Sequence, residues 1–105
     1  MARPRIDIPR EQIADFCRRW KMTELALFGS VLRDDFRPDS DVDVLVTFAP
    51  EADWSLFDFV HLRDELKAIL GHDVDVVSRR AVERSRNPYR RDSILGSAEV
   101  IHAAA

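Results

Sequence analysis

The stretch from Gly29 to Val46 constrains this chain more than any other. A Gly29-Ser30 pair follows the short run Glu24-Leu25-Ala26-Leu27-Phe28. Ten residues then separate Ser30 from Asp41, and Asp41-Val42-Asp43 opens a run rich in β-branched residues. Such a run reads as a strand. Side chains alternate across a strand, which predicts that Asp41 and Asp43 share one face. Adjacent carboxylates repel each other unless a cation sits between them. Hard divalent cations such as Mg²⁺ take oxygen ligands of this kind and bridge them to a substrate phosphate.

The competing reading is a solvated strand face carrying two aspartates, although Asp is depleted in strands. The Gly-Ser pair tips the balance towards a site. Gly29 ends the first run, and Ser30 is expected to cap a short helix over 31–36, whose N-terminal N–H groups would suit a phosphate. A phosphate cradle beside an aspartate pair would hold a nucleoside triphosphate. A third carboxylate lies in Gly71-His72-Asp73-Val74-Asp75-Val76-Val77-Ser78. If this second apolar strand lies beside the first, Asp75, flanked by valines, is the residue placed to reach the pair. Asp73, next to the Gly71-His72 turn, is expected to be solvated.

The remaining elements follow from periodicity. A helix is expected over 9–22, with Pro9 at its start and Ile13, Phe16, Cys17 and Trp20 as one apolar stripe. Strands are expected over 25–28, 42–48 and 74–77. A helix over 55–70 buries Phe59, Leu62, Leu66, Ile69 and Leu70 and ends at Gly71. A last helix starts at Pro88, capped by Asn87, and buries Ile94, Leu95, Ala98 and Ile101, with Gly96 an unfavourable helical residue inside it. This alternation predicts an α/β (α+β) domain spanning 1–105, a small mixed sheet with helices packed on one face.

Composition bounds the rest. The chain has 105 residues, 46% of them hydrophobic, enough for one small core. No stretch approaches the ~20 apolar residues of a membrane span. The basic start Met-Ala-Arg-Pro-Arg lacks an apolar signal core, and the lone Cys17 excludes an internal disulfide; both fit a cytoplasmic protein. Cys17 is expected in the core. A net charge of −3 argues against direct nucleic-acid binding. Arg79, Arg80, Arg84, Arg86, Arg90 and Arg91 form a local basic cluster, read either as a solvated face or as a docking surface for an acidic or phosphate-rich partner. His72 is expected to be a solvated turn residue and His61 a surface partner of Asp58 and Glu65. Trp20 and Trp54 are expected to anchor the core or an interface. Tyr89, the only tyrosine, is a conceivable self-modification site. A chain this small often gains stability by pairing, so a homodimer is compatible with it.

Gly29, Ser30, Asp41, Asp43 and Asp75, with Arg33, Pro38, Asp39 and Ser40 in the intervening loop, resemble the pattern of the DNA polymerase β-like nucleotidyltransferase superfamily, and of its minimal nucleotidyltransferases in particular. Asp34 departs from the pattern, where many members carry Gly. The resemblance implies a three- or four-stranded sheet with an acidic site at its open edge. It implies Asp41, Asp43 and Asp75 as ligands of two Mg²⁺ ions, with Asp75 also helping to deprotonate the attacking hydroxyl. Gly29, Ser30, Arg33 and Ser40 would bind the ATP phosphates or lie in the loop that does. A salt bridge to a nearby aspartate is the other reading of Arg33. The implied activity is transfer of AMP from ATP to a hydroxyl, and the implied partner is a HEPN-domain toxin modified on tyrosine by its antitoxin. A small-molecule acceptor such as an aminoglycoside and a non-catalytic antitoxin that only binds its partner are the alternatives.

Overall fold

A computed structural model describes residues 6–33, 36–37 and 39–104. Asp34, Pro38 and the basic residues 1–5 lie outside the described residues. The elements in chain order are α1 (Arg10–Arg19), β1 (Met22–Phe28), a 3₁₀ turn (Gly29–Leu32), β2 (Val42–Phe48), α2 (Leu56–Leu70), β3 (Val74–Ser78), α3 (Arg79–Glu83), α4 (Pro88–Ser97) and β4 (Glu99–Ala103). The four strands form one mixed sheet in the order β3-β2-β1-β4. β1 runs antiparallel to both β2 and β4, whereas β2 and β3 are parallel, joined by the crossover helix α2.

Alternation along the strands creates two cores. Leu25 and Leu27 of β1, Val42, Val44 and Val46 of β2 and Val74 of β3 face α1 and α2, packing against Ile13, Phe16, Cys17, Leu62, Leu66 and Leu70. Ala26, Phe28 and Leu45 face the other way and are covered by Val82 of α3 and Ile94 of α4. The small mixed sheet is as expected, but the helices are not confined to one face. The short α3 and α4 cover part of the second face and leave one end of it open.

Several boundaries differ from expectation for local reasons. α1 ends at Arg19, three residues before Met22, because Lys21 adopts a left-handed φ of 56° and turns the chain into β1. The last helix stops at Ser97, and Ile101 lies not on it but on β4. The spacing of Ile94, Ala98 and Ile101 looks helical, yet the edge of β1 offers this segment a ladder, and Arg10 Nη1 donates to the Ile101 carbonyl at 2.7 Å. Burial pushes the Cys17 thiol up to about 11, in keeping with a core residue. Trp54 packs edge-on against Trp20, 5.1 Å between centroids, and donates Nε1–H to the Trp20 carbonyl at 3.0 Å. His61 does not pair with Asp58 or Glu65. Asp58 closes a capping box with Ser55, and Glu65 accepts from Arg19 and Trp20. His72 is not simply solvated, since its Nδ1 is buried without a partner and its ring packs on Phe36, 5.7 Å between centroids.

α2 is the helix best specified locally. The Ser55 hydroxyl accepts from the Asp58 N–H at 3.2 Å, and the Asp58 carboxylate accepts from the Ser55 N–H at 2.8 Å. Gly71 ends the helix with a left-handed φ of 73°. Ser55→Ala is expected to cost about 1 kcal/mol of stability, measurable as a lower midpoint with unchanged slope in urea unfolding.

Candidate active site

The site lies where β2 and β3 begin. The parallel register places Asp43 directly beside Asp75, and the Val42 N–H, donating to the Asp73 carbonyl at 2.8 Å, locks that register at its first residue. Both aspartates lie on the face that α3 and α4 cover only in part, in line with Leu45 and Val77. Asp43 is half-buried and Asp75 exposed. Burial, followed by repulsion from Asp75 and then Asp41, raises the Asp43 carboxyl above its usual value. Arg33 and Arg90 oppose the shift without cancelling it. A pair of carboxylates whose charge the protein itself does not neutralise suits a bound cation.

Gly29 is required by this arrangement twice over. Its φ of 76° is left-handed, and a Cβ at this position would overlap Asp43 Oδ2 and lie 3.3 Å from Asp43 Cγ. The β1 turn thus presses bare backbone against the carboxylate. Ser30 lies inside the 3₁₀ turn and is not the N-cap of the short helix expected here, of which Asp34 and Asp35 lie outside the described residues. The turn ends at Leu32, has Phe28 at its N-cap and shows no side-chain capping bond. The Ser30 carbonyl accepts from the Arg33 N–H at 2.9 Å, which places Arg33 next to the carboxylates. A cleft of about 350 Å³ opens beside Gly29, between this turn and Ser93, Ile94 and Ser97 of α4.

Asp41 is placed differently from its strand-based expectation. β2 starts at Val42, so Asp41 precedes the ladder and its side chain is not held by strand alternation. It lines a polar hollow of about 280 Å³ with Arg63, Asp64, Lys67 and Asp73. Its charge still acts on Asp43, but among the described residues no three acidic, His or Cys side chains gather around one point as metal ligands. Asp73 is exposed as expected and pairs with Lys67 at 2.7 Å. The Lys67 ammonium holds its carboxyl below the ordinary value. Ser40 precedes Asp41, and its hydroxyl accepts from the Arg37 N–H at 3.3 Å. In that position it shapes the loop leading to Asp41.

Sequence reasoning grouped Arg90 only with the other basic residues. The fold brings α4 back over the second sheet face, within electrostatic reach of Asp43. No local pattern at Arg90 signals this, because the contact depends on how α4 packs.

Comparison with known proteins identifies the family and the fold. Residues 9–101 match the family described as nucleotidyltransferase domain. A Methanocaldococcus jannaschii protein with the provisional name of protein adenylyltransferase is 35% identical over 88 residues, which is 84% of this chain and 85% of that protein. The protein adenylyltransferase MntA of Thermococcus cleftensis is 40% identical over 65 residues, covering 62% of this chain and 64% of its own. A structure of tri-AMPylated Shewanella oneidensis HEPN toxin in complex with MNT antitoxin contains the same fold. Its TM-score is 0.60 at 22% identity, covering 90% of this chain and 70% of that one. With residues 9–101 matched and a relative 35% identical over 84% of its length, the chain belongs to the nucleotidyltransferase domain family and is an enzyme of that family.

Proposed function

We propose that this chain transfers AMP from ATP to a hydroxyl of a partner protein, a tyrosine of a HEPN-domain toxin; the AMPylated HEPN toxin in the Shewanella oneidensis complex supports a protein acceptor of this kind. The observation that carries the reading is the Asp43–Asp75 pair, in register on adjacent parallel strands and abutting the bare backbone of Gly29. Such a site can bring a phosphate chain, held at Gly29-Ser30 and Arg33, up to two carboxylates.

The raised carboxyl of Asp43 and the lack of a Cβ beside it fit a divalent cation. Asp43 and Asp75, with Asp41 swung in from the polar hollow, would hold Mg²⁺, and Ser40 would set the loop that carries Asp41. When bound, the ions stabilise charge on the attacking and leaving oxygens of an in-line displacement. The chain's own residues do the rest. Asp75, exposed at the sheet edge, takes the proton of the acceptor hydroxyl. The hydroxyl oxygen bonds to the α-phosphorus as the bond to the bridging oxygen of the β-phosphate breaks. Pyrophosphate leaves towards Arg33, whose guanidinium offsets its charge. Gly29 and the 3₁₀ turn keep the triphosphate in line.

The test is intact-mass measurement of a candidate HEPN toxin after incubation with this protein, ATP and Mg²⁺. A gain of one or more adenylyl groups, absent with Asp75→Ala, is expected. A stable complex without mass gain would move the function to binding alone, and a gain that persists in Asp75→Ala would remove Asp75 from the chemistry.

A further inference from the structure

The charge of this chain is unevenly distributed. Its net charge is −3, yet residues 79–92 carry six arginines against only Glu83 and Asp92. These residues form α3, the turn after it and the first part of α4. Arg80, Arg84, Arg86 and Arg90 are exposed and, among the described residues, form no ion pair. By contrast, Arg79 pairs with Glu24 at 3.2 Å and Arg91 lies 3.7 Å from Asp92. Tyr89, next to Arg90 in the chain, is 86% exposed, and exposed aromatic and arginine side chains are the composition that dominates binding hot spots. Between the two helices runs a groove of about 200 Å³ with Val77, Val82 and Ile94 as its apolar lining and Arg90 at its edge. Val77 follows Asp75 by two residues on the same face of β3, so groove and carboxylates share one surface.

This face has the wrong surroundings for a long polyanion. The rest of the chain is net acidic and would repel nucleic acid extending beyond the patch. A short acidic segment fits, because only its own length must be matched in charge.

We propose that the α3–α4 face docks an acidic, tyrosine-bearing segment of the partner protein and presents its hydroxyl to Asp75. This rests on the adenylyl-transfer reading for the role of the hydroxyl, but not for the docking itself. The arginines steer and orient the segment, Tyr89 anchors it, and the groove receives an apolar side chain beside the acceptor.

Binding is tested with three fluorescein-labelled probes: a tyrosyl peptide flanked by glutamates, the same peptide flanked by lysines, and an oligoribonucleotide of the same charge as the first. The glutamate peptide is expected to bind about tenfold or more tighter than the lysine peptide, with affinity falling as salt rises. Arg84→Glu/Arg86→Glu/Arg90→Glu is expected to reverse that preference. Tyr89→Ala, at a position too exposed to affect folding, is expected to weaken the glutamate peptide several-fold. Equal binding of the two peptides, no change in the triple variant, or tighter binding of the oligoribonucleotide would overturn the proposal. Adding ATP and Mg²⁺ separates the two readings. Docking as expected with no adenylyl gain on the peptide sinks adenylyl transfer to tyrosine and leaves the docking surface standing. Gain at equal rates on both peptides does the reverse.

Discussion

Asp43→Asn is expected to lower AMP transfer by about 10³-fold or more, the scale seen when a group stabilising transition-state charge is removed, and at the same time to raise the melting temperature of the free protein. The activity arm follows from the position of Asp43, between Asp75 and the Gly29 backbone. The stability arm follows from its electrostatics. Folding partly buries this carboxylate and sets it beside Asp75 and Asp41, raising its pKa. The folded chain therefore holds the Asp43 proton more tightly than the unfolded one. That contribution to stability is fully present below the unfolded carboxylate value of about 3.9, and it is lost as pH rises through the raised folded value. At neutral pH the ionised group opposes folding, and the neutral amide of Asn removes the opposition. Thermal melts in EDTA at pH 7 and pH 4 check this. The variant should melt above the wild type at pH 7, and the gap should narrow at pH 4. Adding Mg²⁺ should then stabilise the wild type and not the variant. A variant that melts lower at pH 7 would show that Asp43 is held by favourable contacts and is not under repulsion. Such a gain on losing a functional group is the usual signature of a site that trades stability for activity.

Gly29→Ala is expected to have the second-largest effect. A side chain at φ 76° costs about 1–3 kcal/mol, and its Cβ would overlap Asp43 Oδ2. Either the 3₁₀ turn opens or the carboxylate swings away from Asp75. Displacement on the scale of an ångström is enough to lower kcat/KM by about 100-fold. Activity assays paired with urea unfolding would show both losses. Near-normal activity with only the stability loss would mean that the close approach of Gly29 to Asp43 is not needed for the reaction. Gly71→Ala is the control. It has a similar φ, 73°, but nothing lies within 4 Å of its Cβ, so it should lose stability and keep activity.

Much of the fold is legible in the chain itself where local rules suffice. β2 coincides with its expected span because β-branched residues alternate there without interruption. α2 is bracketed by a Ser55-Asp58 capping box and a left-handed Gly71. α4 starts where Asn87 and Pro88 dictate, with the Asn87 Oδ1 accepting from the Tyr89 N–H at 3.1 Å. Asp43 and Asp75 sit at equivalent positions of two valine-rich runs, and parallel pairing in phase was enough to make them neighbours. Periodicity failed where two structures share a spacing. Residues 94–101 carry a pattern that fits one helix, yet the segment divides into a helix end and an edge strand.

What the sequence determined by itself was therefore the set of locally encoded elements, their caps and the aspartates at matching positions of two valine-rich strands. The tertiary structure alone decided that β4 joins β1, that helices cover both faces, that Asp41 stands outside the β2 ladder among the cations of α2, and that α4 brings Arg90 within reach of Asp43. The physical reason is the range of the interactions. Caps, turns and alternation act over a few neighbouring residues. An edge strand's ladder, a helix's choice of sheet face and the field at a carboxylate are set by groups that are distant along the chain and meet only once the sheet has formed.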